Sequence, residues 1–171
     1  MARILIGTVP IGGHVAPMAA LARGLVDAGH EVVWYSGAKY RSTVELTGAR
    51  FVGRAEAVDF DDSRFEHIPD RAKFTGIDQL KFDLKHLFID DVPGQVADLR
   101  AIAAKVDPDL LLADPGLIGG LLFHELEGLP LAVLGVLPMT IGSVDTAPYG
   151  LGLAPNASAV GRLRNRALRW S

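Results

Sequence analysis

The sequence predicts an α/β protein built on a Rossmann-like, doubly wound parallel sheet. Three observations support this fold class. Strand candidates alternate with helical patterns, glycines and prolines stand at their boundaries, and several strand candidates are apolar throughout, as in sheets covered on both faces. The chain has 171 residues, of which 49% are hydrophobic, so it is long enough to bury the core of one such domain.

The first strand candidate leads into the most informative stretch of the chain. Residues 4–6 are Ile-Leu-Ile, two glycines at 12–13 predict a sharp turn, and a helix is expected from near Val15 with Pro17 in its first turn. This places His14 at the carboxyl end of a strand, where open α/β sheets bind ligands. The positive end of the helix favours a neutral imidazole, which is the form that a general base needs. We therefore predict that His14 is catalytic.

The remaining elements continue the alternation. Gly29 is expected to close the first helix in a left-handed conformation. The pattern predicts further strands at 31–35, 50–52, 109–113 and 131–136, and helices at 16–28, 39–47, 78–89, 94–106, 116–127 and 158–170.

Residues 55–93 interrupt this rhythm with aromatic and charged side chains. Leu80, Leu84 and Leu87 are expected on one face of the helix at 78–89. The aromatic residues fill a core or line an apolar pocket, and the irregular pattern favours the pocket. The stretch holds five of the seven phenylalanines, namely Phe60, Phe65, Phe74, Phe82 and Phe88.

A carboxylate follows the apolar strand at 109–113. Because parallel strands end at the same edge of a sheet, Asp114 is expected to face the same crevice as His14. A buried carboxylate beside a histidine holds its tautomer and stabilises the imidazolium, so such a pair activates a hydroxyl as a nucleophile. The alternative is that Asp114 caps a helix that begins near Gly116. Spacing alone weighs the two interpretations equally.

Other chemistries lack their motifs. The chain has no cysteine, which excludes disulfides, thiolate catalysis and thiolate metal sites. It has neither the G-x-G-x-x-G fingerprint with an acidic residue after the second strand nor a P-loop lysine, so a nucleotide-binding oxidoreductase is disfavoured. The serines form no nucleophile elbow. We expect structural or surface roles for the other histidines, whose spacing does not suit a metal: His30, His67, His86 and His124.

Charge and hydropathy limit the partners and the cellular location that the sequence predicts. The formal net charge is -3 and no basic cluster precedes the last ten residues, which argues against nucleic acid as a partner. The N-terminus lacks the apolar core of a signal peptide, and no run is long enough to span a bilayer. We expect a cytoplasmic protein without stable membrane insertion.

Several segments together resemble a known family. They are Gly-His-Val-Ala-Pro at 13–17 and similarly matching stretches at 21–25, 28–32, 48–51, 107–114 and 126–133. This combination resembles the N-terminal half of family 1 glycosyltransferases, and most nearly the bacterial macrolide and natural-product glycosyltransferases.

The resemblance implies a GT-B architecture of two Rossmann-like domains, of which the N-terminal one binds the acceptor. It implies that His14 deprotonates the acceptor hydroxyl, assisted by Asp114, with inversion at the sugar and no metal or other cofactor. The co-substrate would be a UDP- or dTDP-linked sugar, bound mainly by a C-terminal domain that this sequence lacks. The acceptor is expected to be an apolar macrolide, polyketide or flavonoid, in contact with Ile11, Gly13, Phe60, Phe74, Phe82, Phe88, Pro138 and Met139.

The resemblance also implies the domain organisation. We predict an acceptor-binding domain at 1–155 and a C-terminal helix at 156–171 that leads towards the absent donor-binding domain. The chain alone is then expected to transfer little or no sugar. Two alternatives stay open: a non-catalytic small-molecule binding domain, and a lipid or cell-wall precursor glycosyltransferase. The second alternative usually has an apolar and basic docking patch, which is missing here before the terminal arginines.

Overall fold

The computed structural model describes residues 1–65, 68–136, 142–148 and 150–169. Its strands are β1 (Arg3–Gly7), β2 (Glu31–Tyr35), β3 (Arg50–Val52), β4 (Leu110–Ala113) and β5 (Leu131–Val133). They form one sheet in the order β3-β2-β1-β4-β5, and every pair is parallel. The predicted doubly wound class is confirmed, because the chain moves outwards from β1 to one edge and then crosses to the other side.

Six α-helices connect or follow these strands in the described part of the chain. A π-helical segment, Leu84–Ile89, continues directly from the third of them, and 3₁₀ turns occupy Ala38–Tyr40 and Arg71–Lys73. The α-helices are α1 (Gly12–Asp27), α2 (Arg41–Glu45), α3 (Gly76–Asp83), α4 (Val92–Val106), α5 (Ile118–Glu127) and α6 (Ala159–Leu168).

Alternate residues of the central strand build the two halves of the core. Ile4 and Ile6 of β1 pack with α1 and α2 on one face of the sheet, where Met18 and Trp34 are fully buried. Leu5 belongs to the core on the other face, with residues of α4 and α5. Because successive side chains of a strand point to opposite faces, an unbroken apolar strand such as β1 needs helices on both sides.

The chain divides into two compact units, residues 1–136 and 137–171. The second unit contains α6, whose first turn is capped by the Ser158 hydroxyl accepting from the Gly161 N–H at 3.1 Å. Within this unit Asn165 is buried, and its side-chain amide donates to the Val144 carbonyl. No helix in the described residues is long and apolar enough to cross a membrane.

Several predicted boundaries are wrong. The first helix begins at Gly12 rather than near Val15, so Pro17 lies inside α1 rather than in its first turn. The fifth strand ends at Val133 rather than at residue 136. In contrast, β2 and β3 have the predicted bounds, and Gly29 has the expected positive φ, +84°.

The predicted apolar face of the helix at 78–89 is only partly buried. The helix changes from α to π at Leu84, so residues on either side of that point no longer follow one 3.6-residue period. Leu87 is buried, whereas Leu80 and Leu84 are about half exposed, 50% and 48%. The stretch that broke the rhythm of the sequence is also irregular in the structure.

Candidate active site

The structure brings His14 and Asp114 together at the carboxyl edge of the sheet. Asp114 directly follows β4, and His14 lies in the first turn of α1, which begins a short loop after β1. Since β1 and β4 are hydrogen-bonded neighbours, with Gly7 opposite Ala113, the two loops start side by side. His14 Nδ1 lies 2.6 Å from Asp114 Oδ1, and both side chains are buried.

Backbone amides hold the Asp114 carboxylate in place. The N–H of Val9 donates to Oδ2 at 2.8 Å, and the N–H of Gly116 donates to Oδ1 at 2.6 Å. With His14, three groups share its two oxygens, so the carboxylate cannot rotate without losing a buried hydrogen bond. The alternative that Asp114 caps the next helix is wrong, because α5 begins at Ile118 with Leu117 at its N-cap.

This arrangement determines what the imidazole can do. A carboxylate only accepts hydrogen bonds, so the short contact with Asp114 requires the proton on Nδ1 of a neutral His14. Nε2 then carries a lone pair and can accept a proton, while the carboxylate stabilises the imidazolium that results. The pair therefore has the arrangement of a general base with its orienting acid.

The glycines before His14 serve a different purpose from the predicted one. Neither Gly12 nor Gly13 has a positive φ, and both lie in the first turn of α1. The N–H of Gly12 donates to Asp62 Oδ2 at 2.8 Å. A Cβ at Gly12 would lie 3.4 Å from the Tyr40 hydroxyl, so this position lies against a side-chain cluster rather than at a sharp turn.

That cluster is centred on Asp62, which the sequence reasoning missed. Its carboxylate accepts from the Tyr40 hydroxyl at 2.8 Å and contacts the Lys39 ammonium, in addition to the Gly12 N–H. Burial raises the pKa of Asp62, but its hydrogen bonds to these three groups outweigh burial and the net pKa is lowered. Burial, and then the bond to Asp62, raise the pKa of Tyr40 to about 12.

Asp62 therefore ties the segment that follows β3 to the helix that carries His14. Asp59 ties the same segment to the 3₁₀ turn after β2, because its Oδ2 accepts from the N–H of Ala38 at 3.0 Å. The sequence signal was the Asp-Phe-Asp-Asp run at 59–62, although an acidic run is more often a solvated surface.

A cavity of about 770 Å³ lies beside residues 59–62, and only some of the predicted acceptor-binding residues line it. Phe60 and Phe82 line it, and Phe74 stacks on Phe82 with ring centroids 5.0 Å apart. The cavity lining does not include His14 or Asp114. The described residues that line it are Val58, Asp59, Phe60, Asp61, Arg64, Ile68, Pro69, Asp70, Phe82, His86 and Leu87.

The other predicted acceptor contacts are dispersed. Phe88 and Ile11 pack, partly buried, against the core that contains Leu5, while Gly13 is exposed in the first turn of α1. Pro138 and Met139 lie outside the described residues.

A buried acidic network holds the segment before the cavity against α4. Asp98 accepts from the Tyr35 hydroxyl at 2.8 Å and from the N–H groups of Ala55, Glu56 and Ala57 at 2.9–3.2 Å. Burial raises the pKa of the Tyr35 hydroxyl well above its ordinary value. The sequence signal for Asp98 was a carboxylate four residues before a core position of α4, on its apolar stripe.

Asp91 makes the second part of this network. It accepts from the Val58 N–H at 2.7 Å, from the Gln95 amide at 3.0 Å and from the buried Arg54 guanidinium at 2.8 Å. Together with Asp98 it fixes residues 54–58, which lead directly into the cavity wall.

The remaining histidines have local contacts. His30 Nδ1 accepts from the Ala2 N–H at 3.2 Å, and His124 Nδ1 lies 2.6 Å from the Leu129 carbonyl. His86 contacts the Phe82 ring and Asp90. His67 lies outside the described residues, and no cluster of three or more metal-binding side chains occurs among those that are described.

Sequence comparison relates the chain to glycosyltransferases. No protein-family model matches it. It is 41% identical over 169 residues to the 4′-demethylrebeccamycin synthase of Lentzea aerocolonigenes, which covers 98% of this chain and 40% of that protein. It is 30% identical to UDP-glycosyltransferase 2 of Phaeomoniella chlamydospora, with 96% of this chain and 38% of that protein covered. The chain thus spans about two fifths of the curated relatives it matches.

Solved structures with the same fold include several glycosyltransferases. The glycosyltransferase of kitacinnamycin is 25% identical, with a TM-score of 0.62 over 81% of this chain and 31% of that one. The calicheamicin glycosyltransferase superposes with a TM-score of 0.63 over 79% of this chain and 32% of that one, at 20% identity. The spinosyn rhamnosyltransferase superposes with a TM-score of 0.61 at 22% identity, over 82% of this chain and 37% of that one. For the two structures below 25% identity, the similarity shows a shared fold.

Proposed function

Because this chain is homologous to glycosyltransferases and has their GT-B type of sheet, we propose that it is the acceptor-binding half of an inverting, nucleotide-sugar-dependent glycosyltransferase. The observation that carries the proposal is the buried contact of 2.6 Å between His14 Nδ1 and Asp114 Oδ1 at the carboxyl edge of the sheet. Homology supports the reaction class, and this contact supports His14 as the base.

The proposed reaction begins at an acceptor hydroxyl. Nε2 of His14 takes the hydroxyl proton while the oxygen forms a bond to the anomeric carbon of the sugar. The bond from that carbon to the diphosphate oxygen breaks, and the nucleoside diphosphate leaves with the electron pair. Attack opposite the leaving group inverts the anomeric configuration. Asp114 keeps the proton on Nδ1 and stabilises the imidazolium as it forms.

The acceptor is proposed to be an apolar natural product. The cavity beside Phe60 and Phe82 supports this, since aromatic side chains and Leu87 contribute to its walls. Asp62 supports a connection between this cavity and His14, because it joins the segment beside the cavity to the first turn of α1, where His14 lies. The name of the 41% identical relative, a natural-product synthase, points to the same class of acceptor.

The UDP- or dTDP-linked sugar is proposed to bind mainly to a second half that this sequence does not contain. The support is length, since the chain spans about two fifths of its curated relatives. Transfer by the chain alone is therefore expected to be very low, because groups that stabilise the leaving diphosphate would be missing. The absence of a metal requirement and the cytoplasmic location are parts of the same proposal.

The test is sugar transfer followed by mass spectrometry. UDP- and dTDP-sugars are offered with phenol and macrolide acceptors to three proteins: the chain alone, the chain joined to the portion of the 4′-demethylrebeccamycin synthase that it does not match, and the joined form with His14→Ala. A joined form with His30→Ala is the matched control, because the His30 ring accepts from the Ala2 N–H, beside the start of β1, whereas His14 lies past its end. EDTA is added to a parallel reaction.

We expect product from the joined form with or without EDTA, and from the His30 variant, but not after His14→Ala. Product that survives His14→Ala would show that another group is the base. Acceptor binding without product in any form would instead favour a non-catalytic small-molecule binding domain.

A further inference from the structure

Gly116 lies against the His14–Asp114 pair in the loop between β4 and α5. It is buried, and its N–H donates to Asp114 Oδ1, the oxygen that also contacts His14. A Cβ built at this position would lie 2.9 Å from Asp114 Oδ1, 3.0 Å from His14 Cε1 and 3.1 Å from Val9 Cγ2. Two of the three nearest atoms therefore belong to the pair itself.

Backbone conformation does not explain why this position is a glycine. Gly116 is not among the glycines with positive φ, so an alanine could adopt its φ without strain. Space is the remaining reason, because a Cβ at 2.9 Å from Asp114 Oδ1 is closer than packed atoms come, and the other two contacts are tight enough to require small movements of His14 and Val9.

Relief of this crowding would disturb the contact between His14 and Asp114. A flexible side chain normally swings away from an added methyl group, but Asp114 is held by the Val9 N–H, the Gly116 N–H and His14. Movement of Oδ1 by a few tenths of an ångström lengthens the contact with Nδ1. Movement of the imidazole, which is 3.0 Å from the built Cβ at Cε1, has the same result.

We propose that Gly116 is a positioning residue, whose missing side chain allows Asp114 to hold the His14 imidazole in its reactive orientation. This inference rests on the proposed function, in which His14 is the base. Its consequence is that a single methyl group at residue 116 impairs the proton transfer without touching the acceptor cavity, whose lining does not include this loop.

The matched control is another buried glycine nearby, Gly120 in α5. A Cβ there would lie 3.3 Å from Leu117 Cδ2 and 3.5 Å from Ala113 Cβ, both aliphatic atoms. Gly120→Ala therefore adds the same methyl group to the same part of the chain without approaching the imidazole.

The first readout is the imidazole proton on Nδ1, measured by proton and nitrogen NMR on the chain itself. In a short contact with a carboxylate this proton gives a far-downfield signal, which His14→Gln identifies by its disappearance. We expect Gly116→Ala to shift or abolish the signal and Gly120→Ala to leave it unchanged. Circular dichroism melting establishes that both variants are folded.

The second readout is turnover, in the form of the protein in which transfer is found. We expect Gly116→Ala to lower kcat about 10–100-fold, the loss typical of a misplaced catalytic group, with KM for the acceptor changed less than twofold, or about 0.4 kcal/mol. If the variant does not fold, Val9→Ala/Gly116→Ala is read in the same way against Val9→Ala, because it frees the new methyl from Val9 while the contacts with the pair persist.

An unchanged Nδ1 proton signal, or a kcat equal to that of Gly120→Ala, would overturn the positioning role. If that happens while His14→Ala still abolishes transfer, only this inference fails. If transfer survives His14→Ala, the proposed function fails first, whatever the behaviour of residue 116.

Discussion

Loss of the Asp98 carboxylate should destabilise the protein through the segment that leads into the cavity wall. Asp98 is 3% exposed and accepts four hydrogen bonds, one from the Tyr35 hydroxyl and three from the backbone N–H groups of residues 55–57. In Asp98→Ala, these donors lose their acceptor at once. The segment keeps its bonds from Val58 and Arg54 to Asp91, which directly precedes α4.

The size of the effect follows from which donors can reach water. Tyr35 and Ala57 are buried, and an unsatisfied buried donor costs about 1–3 kcal/mol. Ala55 and Glu56 are exposed residues, so their N–H groups regain water at small cost. Two buried donors at mid-range give a loss of about 4 kcal/mol in the free energy of unfolding. For a chain of this length that lowers Tm by about 8–16 °C.

Urea denaturation and a thermal melt measure this loss directly. Asp98→Asn should lose much less, because an amide oxygen in the place of Oδ2 still accepts from Tyr35 and Ala57, and the bond given up is the one from the exposed Glu56 to Oδ1. Asp27→Ala is the control: Asp27 is exposed at the end of α1, so its change should stay within about 0.5 kcal/mol. A loss below about 1 kcal/mol for Asp98→Ala would refute the reasoning, since the donors would then have found other partners.

Three further predictions concern packing, charge and the cavity. Gly94→Ala should lower the free energy of unfolding by about 1–3 kcal/mol, because its Cβ would lie 2.7 Å from the Glu56 carbonyl oxygen. Gly24→Ala has open space around the new Cβ and should stabilise α1 by about 0.5–1 kcal/mol. Asp62→Asn should be less stable than the parent at neutral pH, and the difference should shrink below about pH 4, since the lowered pKa of Asp62 gives stability that acid removes. Phe82→Ala should weaken acceptor binding about tenfold.

Each of these has its own check. Equal stability changes at Gly94 and Gly24 in urea denaturation would mean that backbone crowding is not what matters. For Asp62 the sign is decisive: its folded-state pKa lies below that of the unfolded chain, so the contribution is present above the unfolded value and disappears as pH falls. A parent–variant difference that grows in acid would contradict this. For Phe82, calorimetric titration with an acceptor is compared with Ile77→Ala, an exposed residue of α3 outside the cavity lining.

The sequence by itself determined the sheet and the place of the candidate base. Apolar runs such as β1 and β2, separated by helical periods and glycines, are local properties, and together they predicted a parallel, doubly wound sheet. Once strands are parallel, the ends of β1 and β4 meet at one edge, so His14 and Asp114 could be predicted to face the same crevice.

Only the tertiary structure decided which groups share hydrogen bonds. The contact of 2.6 Å between His14 and Asp114, the bond from Gly12 to Asp62, and the four donors on Asp98 join residues 41 to 100 positions apart. Periodicity reports that a side chain is buried but not which partner it meets. For the same reason the phenylalanines of one sequence stretch went to different places: Phe82 lines the cavity, while Phe88 packs against the core.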